Sequence, residues 1–481
     1  MALTPRSLYG ALVVLVTLAL LLVALPPAKG QGTEEYVWVR EFGTSDYDSA
    51  NAVAVDSSGV YVAGRVLGAF VADAYDAFLR KYDTGGGVLW VRQIGTESFD
   101  YGNAVATDGS GVYVAGHTGG NLEYGAPGGG VDAYIRKYDV NGNVLWTRQF
   151  GSTDFDTALA LAVDETGAYV AGRTEGTIIG ETSLGNVDAF LRKYDPAGYL
   201  SWSHQFGTYG YDVAAGVTVD ASGVYVAGET TGTFPGEARI GSGDAFLRKY
   251  DGSGNVLWTR QFGTNASAWA SAITADASNI YVAGTTVGAF PGETNAGSPG
   301  TSDVFLRKYD ASGGVAWTRE FGSPGGDAGF GVAANPLGVY VVGQTDGIFP
   351  GGGGARGPDA FLRKYDASGA LLGTRQFGSS GFDKANAAAV GGSGVYVAGE
   401  TNGAFPGETN AGGVDAFLAA PVEPPPPAAE PRPSGEALVL VLGLSAGGGI
   451  LFAAVVAAVY VSRRRKQDTS QPPPVERPPV P

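Results

Sequence analysis

Short apolar runs alternate with polar turn residues over most of the chain, from about residue 36 to residue 420. Runs rich in Val, Tyr, Phe, Ile and Trp that are bounded by Gly, Asp, Asn or Ser predict β-strands. Where the pattern is clearest, we expect four strands, named a, b, c and d: Asn103–Thr107, Val112–Ala115, Asp132–Tyr138 and Val144–Phe150. Because the a–b and c–d links are short, these strands are predicted to form one antiparallel meander.

This pattern occurs seven times, with a usual spacing of 56 residues, as between Tyr113 and Tyr169. Three segments recur: Asp-Ala-Phe-Leu-Arg-Lys-Tyr-Asp in strand c, Trp-x-Arg-x-Phe-Gly in strand d and Gly-Val-Tyr-Val-Ala-Gly in strand b. In the last copy Gly373 replaces the Trp. Both faces of each meander carry apolar residues, which one unit can bury only between two neighbours. The repeats are therefore predicted to stack as blades.

The order of the strands predicts that the blades close into a ring. The repeats begin with an isolated d strand, Val37–Phe42, and end with an a-b-c set whose last strand is Asp415–Leu418. These two fragments complete one blade, and closure removes exposed sheet edges. We therefore expect an all-β fold, a seven-bladed β-propeller with four-stranded antiparallel blades and a 3+1 ring closure.

The repeat resembles that of the SBBP family, seven-bladed β-propeller proteins that are secreted or displayed on the surface of bacteria and archaea. The resemblance is carried by Asp-Ala-Phe-Leu-x-Lys-Tyr-Asp-x-x-Gly-x-x-x-Trp, then Phe-Gly, then Gly-Val-Tyr-Val-Ala-Gly-x-Thr, and it covers roughly residues 36–420. It implies a fold more than an activity.

Two apolar segments flank the repeats and predict export and anchoring. Arg6, the apolar run 11–25 and the small residues up to Gly30 form a signal-peptide pattern, with an uncleaved anchor as the alternative. Ala437–Val461 lacks charges, is long enough to cross a bilayer and precedes the basic cluster Arg463–Lys466. The predicted order is signal peptide 1–30, propeller 31–420, Pro-rich stalk 421–436, transmembrane helix 437–461 and cytoplasmic tail 462–481. The chain is thus predicted to be a single-pass protein of the cell membrane, with the propeller outside.

The net charge of the chain and two glycines of the predicted membrane helix indicate which partners to expect. The net charge of -16 argues against nucleic acid, which is bound through dense Lys and Arg patches. Gly443 and Gly447 have the Gly-x-x-x-Gly spacing that lets two membrane helices approach closely. Self-association through these glycines is one interpretation, and the general frequency of Gly in membrane helices is the other.

The longest connection of each repeat joins strands b and c, and it emerges on the same face as the d–a connection. We call this the long-loop face, and the opposite one the short-turn face. Several long loops contain Phe-Pro-Gly, often followed by Glu, and such groups are suited to hold a glycan or a protein. The alternative is that each Phe packs back onto its blade. The candidate ligand-binding residues are Phe234, Glu237, Phe290, Glu293, Phe349, Phe405 and Glu408.

An aspartate recurs in the d–a connection, and only the copy with Ala268 lacks it. A ring of carboxylates would suit Ca²⁺, which prefers several oxygen ligands. The alternative is that each aspartate accepts backbone hydrogen bonds in its own turn. No other cofactor is predicted. The candidate metal ligands are Asp48, Asp100, Asp156, Asp212, Asp327 and Asp383.

No catalytic site is predicted. The histidines, His117 and His204, lie in no Ser or Asp arrangement, and the chain has no cysteine. We therefore expect a membrane-anchored cell-surface propeller that acts in binding, adhesion or recognition of an extracellular glycan or protein. A structural component of the cell envelope is the alternative, and a hydrolase with an Asp/Glu pair is a third interpretation.

Overall fold

The computed structural model describes residues 36–67, 74–122, 129–276, 278–297, 300–350 and 357–421. These residues form seven four-stranded sheets in which neighbouring strands are antiparallel. All of them belong to the first of two compact units, residues 1–428, and the second unit lies wholly outside the described residues. The predicted seven-bladed propeller is confirmed.

Each blade contains one strand of each kind, a to d, in order from the axis outward. The a strands are β2 (Ser49–Asp56), β6 (Asp100–Thr107), β10 (Asp156–Asp164), β14 (Asp212–Asp220), β18 (Ala268–Ala275), β22 (Asp327–Asn335) and β26 (Asp383–Gly391). The b strands are β3 (Gly59–Leu67), β7 (Gly111–Thr118), β11 (Gly167–Thr174), β15 (Gly223–Thr230), β19 (Asn279–Thr286), β23 (Gly338–Thr345) and β27 (Gly394–Thr401). The c strands are β4 (Tyr75–Tyr82), β8 (Asp132–Asp139), β12 (Asp188–Tyr194), β16 (Asp244–Tyr250), β20 (Asp303–Asp310), β24 (Asp359–Tyr365) and β28 (Asp415–Pro421). The d strands are β1 (Tyr36–Phe42), β5 (Val88–Ile94), β9 (Val144–Phe150), β13 (Leu200–Phe206), β17 (Val256–Phe262), β21 (Val315–Phe321) and β25 (Leu371–Phe377).

The ring closes as predicted, because the first strand completes the last blade. Strand β1 pairs antiparallel with β28, from Trp38 opposite Ala420 to Phe42 opposite Ala416. The a strands of neighbouring blades pack together, β26 against β2 included, so they surround a central channel. At the closing junction Asn386 Nδ2 donates a 3.1 Å hydrogen bond to the carbonyl of Ala50 in the next blade. The lone N-terminal strand is therefore an integral part of the propeller.

The hydrophobic core lies between blades rather than within one sheet. One cluster joins Tyr225, Leu247 and Phe262 of one blade to Ile273 and Phe305 of the next. Full burial of such a side chain contributes about 1.5–3 kcal/mol to stability. This packing explains why strands b and c are apolar on both faces.

The Trp and Arg of strand d fasten each blade to the c–d turn of the next. Trp146 Nε1 donates a 3.1 Å hydrogen bond to the carbonyl of Pro196, and Arg148 Nε donates one of 2.7 Å to the carbonyl of Gly198. A Cβ on Gly198 would lie 2.7 Å from the Trp146 ring, and its φ of 85° also favours glycine. The Gly of the recurring Asp-x-x-Gly is therefore required by the Trp of the preceding blade.

Ring closure accounts for the one copy without this tryptophan. Gly373 lies in β25, and that strand belongs to the blade that precedes the closing blade. In the closing blade, strands c and d are β28 and β1, from opposite ends of the repeats, so no c–d turn joins them. A tryptophan at position 373 would have no turn on which to dock.

Two strands of the second blade are longer than predicted, because each continues through a glycine, a residue that the sequence pattern treats as a strand boundary. Strand a of the second blade begins at Asp100, not at Asn103, and strand b runs from Gly111 to Thr118. Gly116 lies inside strand b, and the position requires glycine because a Cβ there would come within 1.7 Å of the carbonyl oxygen of Tyr101. Strand β28 is also longer than predicted, since it reaches Pro421, the first residue of the predicted stalk.

The predicted signal peptide 1–30, transmembrane helix 437–461 with Gly443 and Gly447, and tail 462–481 lie outside the described residues, as does the stalk after residue 421. In the part that the structure describes, no helix has the length and apolar character needed to span a bilayer.

Candidate binding site at the channel mouth

The loop phenylalanines that were candidate ligand contacts are buried. Phe234, Phe290, Phe349 and Phe405 are each at most 1% exposed. Each ring packs edge-on against the aromatic ring of strand c, as Phe405 does against Phe417 at a centroid distance of 5.0 Å. Their geometry agrees with the alternative that each Phe packs back onto its blade, so the rings present no surface to a ligand.

The loop glutamates fasten the long loops to strand d. Glu237 Oε2 accepts a 2.9 Å hydrogen bond from the backbone N–H of Gln261. Glu293 accepts the corresponding bond from Glu320 N, at 3.3 Å. Glu408 accepts one from Glu41 N and forms an ion pair of 3.4 Å with Arg40. The structure thus gives these three carboxylates partners within the protein.

The six d–a aspartates, Asp48, Asp100, Asp156, Asp212, Asp327 and Asp383, are at most 1% exposed. Each accepts a hydrogen bond from a backbone N–H in its own turn, as Asp156 Oδ2 does from Ser152 N at 2.6 Å. These six carboxylates thus accept hydrogen bonds in their own turns, which agrees with the alternative to a metal site.

Each d–a aspartate also lies close to an aspartate that begins strand c. A Cβ on Gly151 would lie 2.3 Å from Asp132 Oδ1 and 2.6 Å from Asp156 Oδ2, so one glycine separates the two carboxylates. Burial, and next the neighbouring carboxylate, raise the pKa of Asp132. Over the described ranges, no group of three or more Asp, Glu or His side chains is suited to hold a metal ion. Calcium binding by the d–a aspartates stays a prediction.

A one-residue bulge interrupts the pairing of strands a and b in every blade. A bulge bends its strand and redirects a side chain, and such bulges are frequent beside functional sites. The bulged residues surround the channel, and we call them the bulge ring: Asn51, Asn103, Leu159, Ala215, Ser271, Phe330 and Asn386.

A second ring of side chains comes from the long-loop end of strand b. Strand b ends in Gly-x-Thr in six copies and in Gly-Arg-Val in the first, and the middle residue varies among charged, polar and aromatic types. It pairs with the residue that follows the d–a aspartate, as His117 does with Tyr101. We call these residues the mouth positions: Arg65, His117, Arg173, Glu229, Thr285, Gln344 and Glu400.

Aromatic rings surround the charges on one side of the mouth. The guanidinium of Arg65 lies 4.8, 5.2 and 4.7 Å from the ring centroids of Tyr47, Tyr75 and Tyr101. Such cation–π contacts each contribute about 0.5–2 kcal/mol. The hydroxyl of Tyr47 donates a 2.8 Å hydrogen bond to Glu400, and burial and this carboxylate raise the pKa of Tyr47 to about 12. The first and last blades are thus linked across the ring closure.

His117 is held as a neutral ring within this arrangement. It stacks on Tyr101 at a centroid distance of 4.5 Å, and its Nδ1 lies 2.9 Å from Thr157 Oγ1. Burial, and next the charges of Arg65 and Arg173, lower the pKa of His117 to about 4. The other histidine packs away from the mouth, on an aromatic ring of strand d. The same nitrogen of His117 lies 3.2 Å from Asn103 Nδ2, so the ring is held by side chains of two neighbouring blades.

The two rings line an open cavity of about 280 Å³ at the channel mouth. Its walls include five bulge-ring residues, one mouth position, Glu229, and the indole of Trp269. Trp269 follows Ala268, the place where the repeat lacks its aspartate. The cavity thus combines a carboxylate, an aromatic plane and polar side chains from several blades.

Sequence reasoning missed this site, although a signal was present. The mouth positions are the variable residues of an otherwise constant segment, and variation inside a constant frame indicates a role beyond the blade. The bulge ring gave no such signal, because a bulge depends on the pairing of two strands.

A family model for the SBBP β-propeller repeat matches residues 89–123, which cover β6, β7 and most of β5. The same segments recur in the other blades. Residues 89–123 are thus an SBBP β-propeller repeat. The resemblance found in the sequence is thus confirmed.

Two curated proteins are similar to this chain. The regulatory protein FlaEY of Caulobacter vibrioides is 28% identical over 330 residues, which cover 60% of this chain and 34% of the relative. The uncharacterized WD repeat-containing protein L264 of Acanthamoeba polyphaga mimivirus is 27% identical over 233 residues, or 37% of this chain and 17% of the relative. The chain thus spans about a third or less of the relatives it matches.

Among solved structures, the WD40 β-propeller domain of Doa1 is similar in fold. Its sequence identity is 11% and the TM-score is 0.46, with 80% of this chain and 96% of that domain covered.

Proposed function

We propose that the chain is a non-catalytic binding module that takes an extracellular protein partner at the channel mouth on the long-loop face. The supporting observation is the concentration of varied charged and aromatic side chains at the mouth positions and the bulge ring. The residues that are constant among the blades serve turns and blade packing instead. A propeller scaffold that presents variable side chains at one opening is suited to recognition.

The relatives support interaction rather than chemistry, since one is a regulatory protein and the other a WD-repeat protein. Export and anchoring belong to the same proposal. They rest on the signal-peptide pattern of residues 1–30 and on the apolar segment 437–461, followed by its basic cluster.

The test is ligand capture by the full-length chain, purified in a mild detergent, on peptide, protein and glycan arrays. Ser271→Trp places a large ring in the cavity and is expected to abolish capture. Gly252→Trp adds the same ring on the short-turn face, where a Cβ meets nothing within 4 Å, and should leave capture unchanged. Capture that survives Ser271→Trp would place the binding surface elsewhere, and activity on a hydrolase substrate panel would oppose a binding role.

A further inference from the structure

Two mouth positions are glutamates, and one of them is neutralised within the protein. Glu400 is 4% exposed and accepts a 2.8 Å hydrogen bond from the hydroxyl of Tyr47. It also forms an ion pair of 3.5 Å with Lys384, which lies directly opposite on strand a. A buried carboxylate is stable only with such compensation.

The other glutamate lacks the matching lysine. Val213 lies opposite Glu229, at the place that Lys384 has opposite Glu400. Burial raises the pKa of Glu229, although the charge of Arg173 lowers it, and the described residues donate no hydrogen bond to its carboxylate. Arg173 is itself engaged by the Tyr211 hydroxyl and lies 3.9 Å from Glu175. Among the described residues, Glu229 therefore has no close counter-ion.

The lysine of the neutralised pair shows how this channel holds an ammonium group. Lys384 Nζ lies 4.5 Å from the ring centroid of Phe330 and 3.5 Å from Glu400. The ammonium group of Lys384 is thus bound jointly by an aromatic ring and a carboxylate. Trp269 and Glu229 bring the same two chemical groups to one cavity, and the described residues that line this cavity include no lysine or arginine.

The remaining polar lining favours a ligand that donates hydrogen bonds. Asn386 Nδ2 donates at 3.1 Å to the carbonyl of Ala50 and at 3.2 Å to Ser49 Oγ, so both of its N–H groups are used and its Oδ1 is left as an acceptor. Asn51 Oδ1 already accepts a 2.8 Å hydrogen bond from Ser49 Oγ, and its Nδ2 donates to the carbonyl of Gly102. A volume of about 280 Å³ suits one side chain rather than an oligosaccharide. The net charge of -16 would also attract a cationic partner.

We infer that the channel-mouth cavity binds an organic cation, the ammonium or guanidinium group of a lysine or arginine side chain or of a free amine, between Glu229 and Trp269. This inference rests on the proposed function and names its ligand class. Glu229 supplies the counter-charge, Trp269 supplies a π face, and Ser271 and the side-chain oxygen of Asn386 accept the remaining N–H groups.

The experiment titrates the full-length chain in detergent with four probes and follows heat release and tryptophan fluorescence. The cationic probes are the peptides Ac-Gly-Lys-Gly-NH₂ and Ac-Gly-Arg-Gly-NH₂ and free cadaverine. The neutral control has norleucine in place of lysine. Cationic probes are expected to bind at least tenfold more tightly than the norleucine peptide. Binding of the peptides alone would identify a protein partner, and binding of cadaverine alone a free amine; both support the cation site.

Variants separate the site from general charge attraction. Glu229→Gln keeps the shape of the side chain and should weaken cation binding at least tenfold, and Trp269→Ala should weaken it at least fivefold. Glu165→Gln removes the same charge from the exposed a–b turn on the short-turn face and should change affinity less than twofold. Equal affinity in Glu229→Gln, or equal weakening by Glu165→Gln, would overturn the inference.

The two proposals fail in different ways. If no cationic probe binds but an array ligand is captured and lost on Ser271→Trp, the cation site is wrong and the binding module stands. If neither the binding of cationic probes nor the capture of array ligands depends on the channel mouth, both the cation site and the proposed function are wrong.

Discussion

The side-chain amide of Gln261 donates a hydrogen bond of 2.7 Å to Oδ2 of Asp244. In the next blade Glu320 has the place of this glutamine, beside Asp303, and it still accepts the backbone N–H of Phe290 at 2.8 Å. A carboxylate cannot donate to a second carboxylate unless it is protonated. Burial, and after it the charge of Asp303, raise the pKa of Glu320 to about 7.

Glu320→Gln is therefore expected to stabilise the propeller. The amide keeps the acceptor for the loop and adds a donor to Asp303, as Gln261 does for Asp244. A hydrogen bond to a charged group contributes about 1.5–3 kcal/mol, so a gain of about 1–2 kcal/mol in the free energy of unfolding is expected at pH 8. Urea denaturation measures it. The reciprocal variant Gln261→Glu should lose stability, and a less stable Glu320→Gln would contradict the argument.

The same residues predict how stability depends on pH. Burial raises the pKa of Glu41, like that of Glu320, from 4.5 to about 7. The folded state thus binds these protons more tightly than the unfolded state, so their contribution is full below about pH 4.5 and is lost as the pH rises through about 7. The melting temperature of the Glu41→Gln/Glu320→Gln variant should match that of the unchanged chain near pH 5 and exceed it at pH 8. A constant difference across this range would contradict the assignment.

The repeat pattern predicted the fold because each blade carries the same local information. Val37–Phe42 and Asp415–Leu418 were identified as parts of one blade by their order alone. Trp146 belongs to a segment that has tryptophan in six of the seven copies, and it packs on the next blade, because a recurring aromatic residue needs a surface that recurs with it.

The candidate site could not be predicted in the same way. A single apolar loop residue such as Phe405 has no periodicity that would show whether it points inward. The cavity joins Asn51, Glu229 and Trp269, which come from different blades, and their proximity depends on ring closure and on bulges. Local sequence encodes neither.

A neighbouring pair of loop residues tests the burial of the phenylalanines. Phe349 is 0% exposed, whereas the preceding Ile348 is 63% exposed. Phe349→Ala should lower the free energy of unfolding by about 3–5 kcal/mol, because it leaves a cavity against strand c. Ile348→Ala should change it by less than about 0.5 kcal/mol. Thermal or urea unfolding measures both, and similar small effects would mean that the phenylalanine is available to ligands after all.

Blade docking is tested by a second neighbouring pair, Trp146 and Leu145. The indole of Trp146 covers Gly198 and donates to Pro196 in the next blade, whereas Leu145 is 54% exposed. Trp146→Ala removes this contact and should cost about 2–4 kcal/mol, less than a fully buried tryptophan because part of the ring faces solvent. Leu145→Ala should cost less than about 1 kcal/mol. Equal costs in urea denaturation would show that the tryptophan does not couple the blades.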